Sequence, residues 1–102
     1  MYKVYVLRCK DNSLYTGVAL DPLKRFREHQ EKGAKGARYT HAHEAVRLEI
    51  VFAADTKQNA YKLEARIKQL SHSQKEALIA DPTLLGSLVP LDPACFTVWE
   101  EK

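Results

Sequence analysis

Two short β-rich runs at residues 4–7 and 14–17 do most to limit how this chain can fold. Each carries a tyrosine, Tyr5 and Tyr15, ten positions apart, and between the runs lie the polar Lys10, Asp11, Asn12 and Ser13. Four polar residues suffice only to turn the chain back on itself, so the runs predict an antiparallel hairpin. In the first run Tyr2, Val4 and Val6 alternate with Lys3, Tyr5 and Leu7, leaving apolar residues on both faces. That pattern belongs to a central strand covered on each side.

The elements that follow are read from changes of hydrophobic period. Asp21 and Pro22 supply an N-cap and a first-position proline, predicting a helix over 22–31 that Gly33 and Gly36 end. The glycine-rich, basic stretch 32–39 reads as a loop. Residues 47–53, rich in Leu, Ile, Val and Phe, predict a third strand. Ala60, Leu63, Ile67 and Leu70 recur at helical spacing behind a cap at Thr56, and Ser73 with Glu76 reads as a capping box opening a further helix that Pro82 ends. Beyond it the pattern breaks down, and the run 96–99 is the one further strand candidate. We therefore expect a domain over 1–82 and a C-terminal extension over 83–102 packed on it.

Size and charge exclude several classes. At 102 residues the chain has room for one core, and its 45% hydrophobic and 28% charged content is that of a globular protein. No apolar window is long enough to span a membrane and the amino terminus has no secretory pattern, so a cytoplasmic location is expected. Cys9 and Cys95 have no second pair near them, which predicts free thiols. A net charge of +3 permits a polyanionic partner without requiring one.

Helix geometry brings some of the polar residues together. At about 100° per residue, Arg25 and His29 share a face bordering the core, and Glu64 lies about 40–60° from Ala60 and Ile67 at the margin of an apolar stripe. A carboxylate at such a margin loses hydration and needs a partner, which a cation would supply. Lys32, Lys35 and Arg38, with Tyr39, His41 and His43, offer a basic loop suited to a phosphate backbone. The spacing of the two histidines, with no cysteine or acidic cluster beside them, argues against zinc. Taken singly, each of these residues has an ordinary explanation: strand aromatics for Tyr5 and Tyr15, surface charges for Arg25 and His29, and a Glu64 to Lys68 ion pair one turn apart.

Taken in order, they resemble the GIY-YIG nuclease domain. The resemblance is carried by Tyr5 after Lys3 and Val4, by Tyr15, Thr16 and Gly17, by Arg25 eight residues on, by His29 one turn later, and by Glu64 between Leu63 and Ala65. It covers about residues 1–80, and more narrowly the chain is similar to small stand-alone bacterial members of the uncharacterised UPF0213 type. The resemblance implies an α/β (α+β) fold with a three-stranded antiparallel sheet flanked by helices. It also implies a DNA endonuclease using one divalent cation, Mg²⁺ or Mn²⁺. Its implied roles are Tyr15 as general base assisted by Tyr5, Arg25 on the scissile phosphate, His29 in proton transfer or positioning, and Glu64 as the metal ligand. Lys32, Lys35 and Arg38 are the candidate DNA contacts.

The chain departs from the family pattern in places. Lys3 and Val4 stand where the first triplet has glycine and isoleucine, Thr16 replaces isoleucine in the second, and Val18 occupies a position where repair nucleases of this kind often carry lysine. No asparagine follows Asn59. Two other readings therefore stand beside the nuclease: a nucleic-acid-binding module without the chemistry, and a protein-interaction adaptor using Phe96 and Trp99. With no recognition module attached, target selection falls to the domain itself or to a protein partner.

Overall fold

The computed structural model describes residues 1–34 and 45–100, with backbone alone for His29 and residues 31–34. Its organising element is the hairpin of β1 (Lys3–Cys9) and β2 (Leu14–Ala19). The pairing runs from Lys3 opposite Ala19 to Arg8 opposite Leu14. The turn closes because Asn12 adopts a left-handed φ of 71°, which asparagine tolerates, and because Asp11 Oδ1 accepts from both the Ser13 amide at 3.0 Å and its hydroxyl at 2.6 Å.

Strand β1 is central. It also pairs antiparallel with β3 (Ala45–Ala54), with register shifts after Val6 and after Arg8, and the sheet order is β2-β1-β3-β4. The sheet thus has four strands, a correction to the three expected. The fourth, β4 (Phe96–Val98), pairs with Phe52 to Ala54 of β3, and the Trp99 amide extends the ladder to the Val51 carbonyl at 2.8 Å. An open β3 edge beside an aromatic and β-branched run accounts for the extra strand.

Both faces of β1 are buried, as its alternation requires. Val4 and Val6 pack with Ile50, Phe52 and Ala54 under α2 (Lys57–Lys68), through Ala60, Leu63 and Ile67. Leu78 of α3 (His72–Ala80), Leu85 of the short α4 (Leu85–Leu88) and Val89 close the same core. Tyr5 and Leu7 face the other way, with Ala45 and Val51, under Phe26 of α1 (Pro22–Ala34). Helices α1 and α2 therefore cover opposite faces of the sheet.

Two helix boundaries differ from expectation. Helix α1 continues through Gly33 to Ala34, so Lys32 to Ala34 are helical: an interior glycine costs only about 1 kcal/mol relative to alanine and does not oblige a helix to stop. Helix α3 begins two residues earlier than predicted, capped by Ser71, whose side chain accepts from the Gln74 amide at 3.1 Å while Gln74 Oε1 accepts from the Ser71 amide at 2.9 Å. Thr56 caps α2 as expected. Cys9 and Cys95 are free thiols, and among the described residues no helix is long and apolar enough to cross a membrane.

Candidate functional site

Register places the two phenols on one face. Tyr5 stands opposite Gly17 and Tyr15 opposite Leu7, so both rings project toward the α1 side of the hairpin, with centroids 6.4 Å apart and planes inclined at 38°. They differ in exposure: Tyr5 is 1% exposed and Tyr15 44%. Glycine at position 17 makes this possible. A Cβ there would lie 2.6 Å from Tyr5 Cζ and clash with the Tyr5 hydroxyl, so the Tyr5 ring crosses edge strand β2 over a bare backbone. Its hydroxyl is thereby carried out to the β2 edge of the sheet.

Arg25 reaches that hydroxyl from α1. The helix start is fixed by Pro22 and by Asp21, whose Oδ1 accepts from the Lys24 amide at 3.2 Å while its carbonyl accepts from the Arg25 amide at 3.2 Å. One turn in, the Arg25 guanidinium donates to the Tyr5 hydroxyl, and its Nη1 lies 3.5 Å from Glu28 Oε2. Glu64 comes from α2, on the other face of the sheet. Its side chain is 20% exposed, with Oε2 3.4 Å from Lys68 Nζ, the i,i+4 pair anticipated above. Its charge nonetheless reaches Tyr5.

These neighbours set the ionisation of Tyr5. Burial pushes its phenol above the usual 10.0, the Arg25 hydrogen bond pulls it back, and the negative charge available at Tyr15 and at Glu64 pushes it up again. Tyr5 is therefore a protonated phenol at neutral pH, accepting from Arg25 and keeping its own proton to donate. The same bond raises the pKa of Arg25. Tyr5, Tyr15 and Arg25 thus gather on the α1 side at the β2 edge, whereas Glu64 belongs to the helix on the opposite face and acts on the Tyr5 hydroxyl through its charge alone.

The side chains of the other predicted site residues lie outside what the structure describes. His29 and Lys32 lie on α1, His29 one turn beyond Arg25, with their side chains outside the described set. Lys35 and Arg38 fall outside the described residues. The cation fit is specific in kind. Among the described residues no group of three or more His, Cys, Asp or Glu side chains gathers, so a cage made of protein ligands alone is not offered there. A single carboxylate at a solvent margin suits a hard ion that keeps several waters and shares its remaining ligands with a substrate phosphate.

Three residues have structural parts that the sequence pattern does not show. Gly17 reads in the sequence as a motif glycine, and its part as the cradle for Tyr5 emerges only from the register, in which Cys9 and Ser13 close a three-residue turn and set Tyr5 opposite it. Lys3 has work of its own: its Nζ donates to the Leu20 carbonyl at 3.1 Å and sits 4.4 Å from the Trp99 ring centroid, tying the start of β1 to the end of the chain. Thr16, opposite Val6 and 3% exposed, carries a buried hydroxyl without a hydrogen-bond partner, a polar atom where the family motif has isoleucine.

Comparison with known proteins gives concordant matches. The family model described as the GIY-YIG catalytic domain matches residues 1–77. A UPF0213 protein of Fusobacterium nucleatum is 48% identical over 81 residues, 79% of this chain and 79% of its own length. One from Halobacterium salinarum is 44% identical over 78 residues, 76% of this chain and 99% of its own. The solution NMR structure of the UPF0213 protein BH0048 from Bacillus halodurans is 33% identical in sequence, with a TM-score of 0.50 over 90% of this chain and 100% of that one.

Proposed function

The chain belongs to the GIY-YIG family, and from that premise we propose that it is a metal-dependent DNA endonuclease whose site lies at the β2 edge of the sheet. The observation that carries the reading is the Tyr5 hydroxyl, which accepts from Arg25, neighbours Tyr15 and feels the charge of Glu64.

The residues divide the chemistry by environment. Tyr15, exposed at the rim, would act as the phenolate, a form that the charge of a bound cation and of Arg25 would favour, and take the proton of the attacking water at its Oη to become the phenol. Tyr5, held protonated by burial, donates to a phosphate oxygen and fixes Arg25. The Arg25 fork matches the planar geometry of phosphate oxygens, and its 43% exposed side chain leaves it within reach of a bound strand. Glu64 would hold a single Mg²⁺ or Mn²⁺ jointly with water and substrate, and that ion supplies charge neutralisation on the phosphate and stabilisation of the leaving oxygen. His29, one turn beyond Arg25 on α1, is assigned to proton transfer or positioning, and Lys32, Lys35 and Arg38 to the flanking backbone. Repair or processing of DNA is the role this reading assigns, with a protein partner selecting the targets.

The test is incubation of supercoiled and branched DNA with Mn²⁺ or Mg²⁺, comparing wild type with Tyr15→Phe, Arg25→Ala and Glu64→Ala. Nicking should fall by about 10²–10⁴-fold in Tyr15→Phe, the range for loss of a positioned proton acceptor, and vanish in Glu64→Ala. Equal products from Glu64→Ala would identify a contaminating nuclease. Salt-sensitive binding with no product from wild type would leave a binding module instead.

A further inference from the structure

Helix α2 carries more than Glu64. Its residues include four basic side chains, Lys57, Lys62, Arg66 and Lys68, against the single carboxylate, so this one helix accounts for a net charge equal to the +3 of the whole chain. One of the four works against the helix. Lys57 stands at the first helical position and no acidic residue occupies the first turn, although the partial positive charge of that end disfavours cations. The electrostatics of α2 thus favour an external anion over the isolated helix.

An exposed aromatic lies within this charge. Tyr61 projects away from the buried stripe of Ala60, Leu63 and Ile67, each 0% exposed, and is itself 48% exposed. One side of its ring leans on Tyr2, with centroids 6.5 Å apart and an inclination of 46°, and Lys57 Nζ lies 5.5 Å from the Tyr2 ring centroid. The ring is therefore steadied without being covered. Around it opens a depression of about 610 Å³ lined by Lys57, Gln58, Tyr61, Lys62 and Ala65, with no acidic residue in its wall. Tyr61 and Glu64 are three positions apart, one turn of the helix, and with Lys57 and Lys68 they form a stripe about 60° wide along it.

We propose that Tyr61 is a base-stacking platform, on which a nucleobase next to the cleaved position rests while Lys57 and Lys62 hold the adjoining phosphates. A ring can stack only on a base whose face is free, so the preferred substrate has a single-stranded or frayed segment on the α2 side of the cut. Basic side chains interleaved with an aromatic are the elements of single-strand recognition, and stacking is tolerant of sequence because every base has a π-face. The inference rests on the nuclease reading only in taking Glu64 as the cleavage centre.

The experiment measures binding apart from cleavage. Fluorescence anisotropy of a labelled single-stranded oligonucleotide, recorded with EDTA, compares wild type with Tyr61→Ala, Tyr61→Phe and Tyr61→Trp. Tyr61→Ala should bind about 5- to 100-fold more weakly, while Phe and Trp, which keep the π-face, stay near wild type. An abasic residue stepped along the strand should weaken wild type at one position and leave Tyr61→Ala unaffected there. Joint Lys57→Ala and Lys62→Ala substitution should lower the slope of log affinity against log salt by about 1.4. Equal binding by wild type and Tyr61→Ala, a Tyr61→Phe defect as large as that of alanine, or an unchanged salt slope would each overturn the proposal. A protein that nicks DNA yet binds without regard to Tyr61 refutes this inference alone. One that stacks through Tyr61 yet never nicks refutes the nuclease reading and retains the platform.

Discussion

Gly17 sets how closely Tyr5 can cross the edge strand, and the contact is too tight for any side chain. A methyl there would lie 2.6 Å from Tyr5 Cζ and 3.1 Å from Cε1, against a ring that is 1% exposed and walled in by Leu7, Val51 and Phe26. Either β2 lifts or the ring leaves its place. Gly17→Ala should cost about 1–3 kcal/mol, as overpacking of a filled core does. Each kcal/mol lowers the melting temperature of a domain this size by about 4–8 °C. Nicking should fall further than stability alone explains, because the Arg25 bond moves with the Tyr5 hydroxyl. Adding Tyr5→Phe should restore little, since the ring carbon itself is in the way. A Gly17→Ala variant with wild-type melting temperature and activity would show that the ring is free to retreat. Of the candidate site, the order of Tyr5, Tyr15, Arg25 and Glu64 was legible in the sequence, and single-residue explanations do not account for it. Illegible were facts that exist only after folding, such as Lys3 bonding to Leu20 and covering Trp99, or Glu64 lying on the helix that covers the face opposite Arg25.

Between elements the strongest polar tie is Arg8, which no periodicity singled out. Its Nε lies 2.7 Å from Glu49 of β3, its Nη1 donates to Asn12 in the turn at 2.6 Å and to Glu76 of α3 at 2.9 Å, and its Nη2 also reaches Glu76. This explains the misplaced cap. Both Ser71 with Gln74 and Ser73 with Glu76 satisfy the capping-box spacing, and local sequence cannot choose between them. The fold chooses because Glu76 is already occupied by Arg8 and by His72, 3.1 Å away, leaving Gln74 to close the box. Arg8 holds the Glu76 carboxyl down at about 2, below its ordinary 4.5. A depressed carboxylate stabilises the fold above its unfolded pKa, and that contribution is lost as protons return. Stability linked to Glu76 should thus be complete above about pH 4.5 and drain away toward pH 2. Melting followed by circular dichroism across that window should show a steep fall for wild type. Glu76→Gln should start lower at pH 7 and fall less steeply, since the amide has no proton to gain. Identical slopes would mean that the pair contributes nothing to acid sensitivity.

At the scale of the whole molecule, the last twenty residues decide whether residues 1–82 form a unit. Sequence pattern alone separates them, because Leu, Pro and Gly segments show no period and a three-residue strand lies below what alternation can reveal. Packing argues the other way. Leu85 and Val89, each 4% exposed, belong to the same core as Val4 and Leu63, while Leu88, Leu91 and Phe96 cover it and β4 occupies part of the β3 edge. Burial of Leu85 and Val89 alone stabilises the fold by about 3–6 kcal/mol, at about 1.5–3 for each side chain. Against a total of about 5–15 kcal/mol for an ordinary domain, that is a large share. A chain ending at Pro82 should therefore lose its cooperative thermal transition and expose the apolar surface of Ile50, Phe52 and Ala54, seen as dye binding. A truncated protein that melts cooperatively within a few degrees of the full chain would support a unit over 1–82 with 83–102 as an extension packed on it. If truncation unfolds the protein, partner loss after truncation cannot distinguish an adaptor from a nuclease. Substitution of the half-exposed Val98, whose side chain leaves the sheet at its β4 edge, then makes the cleaner probe of that surface.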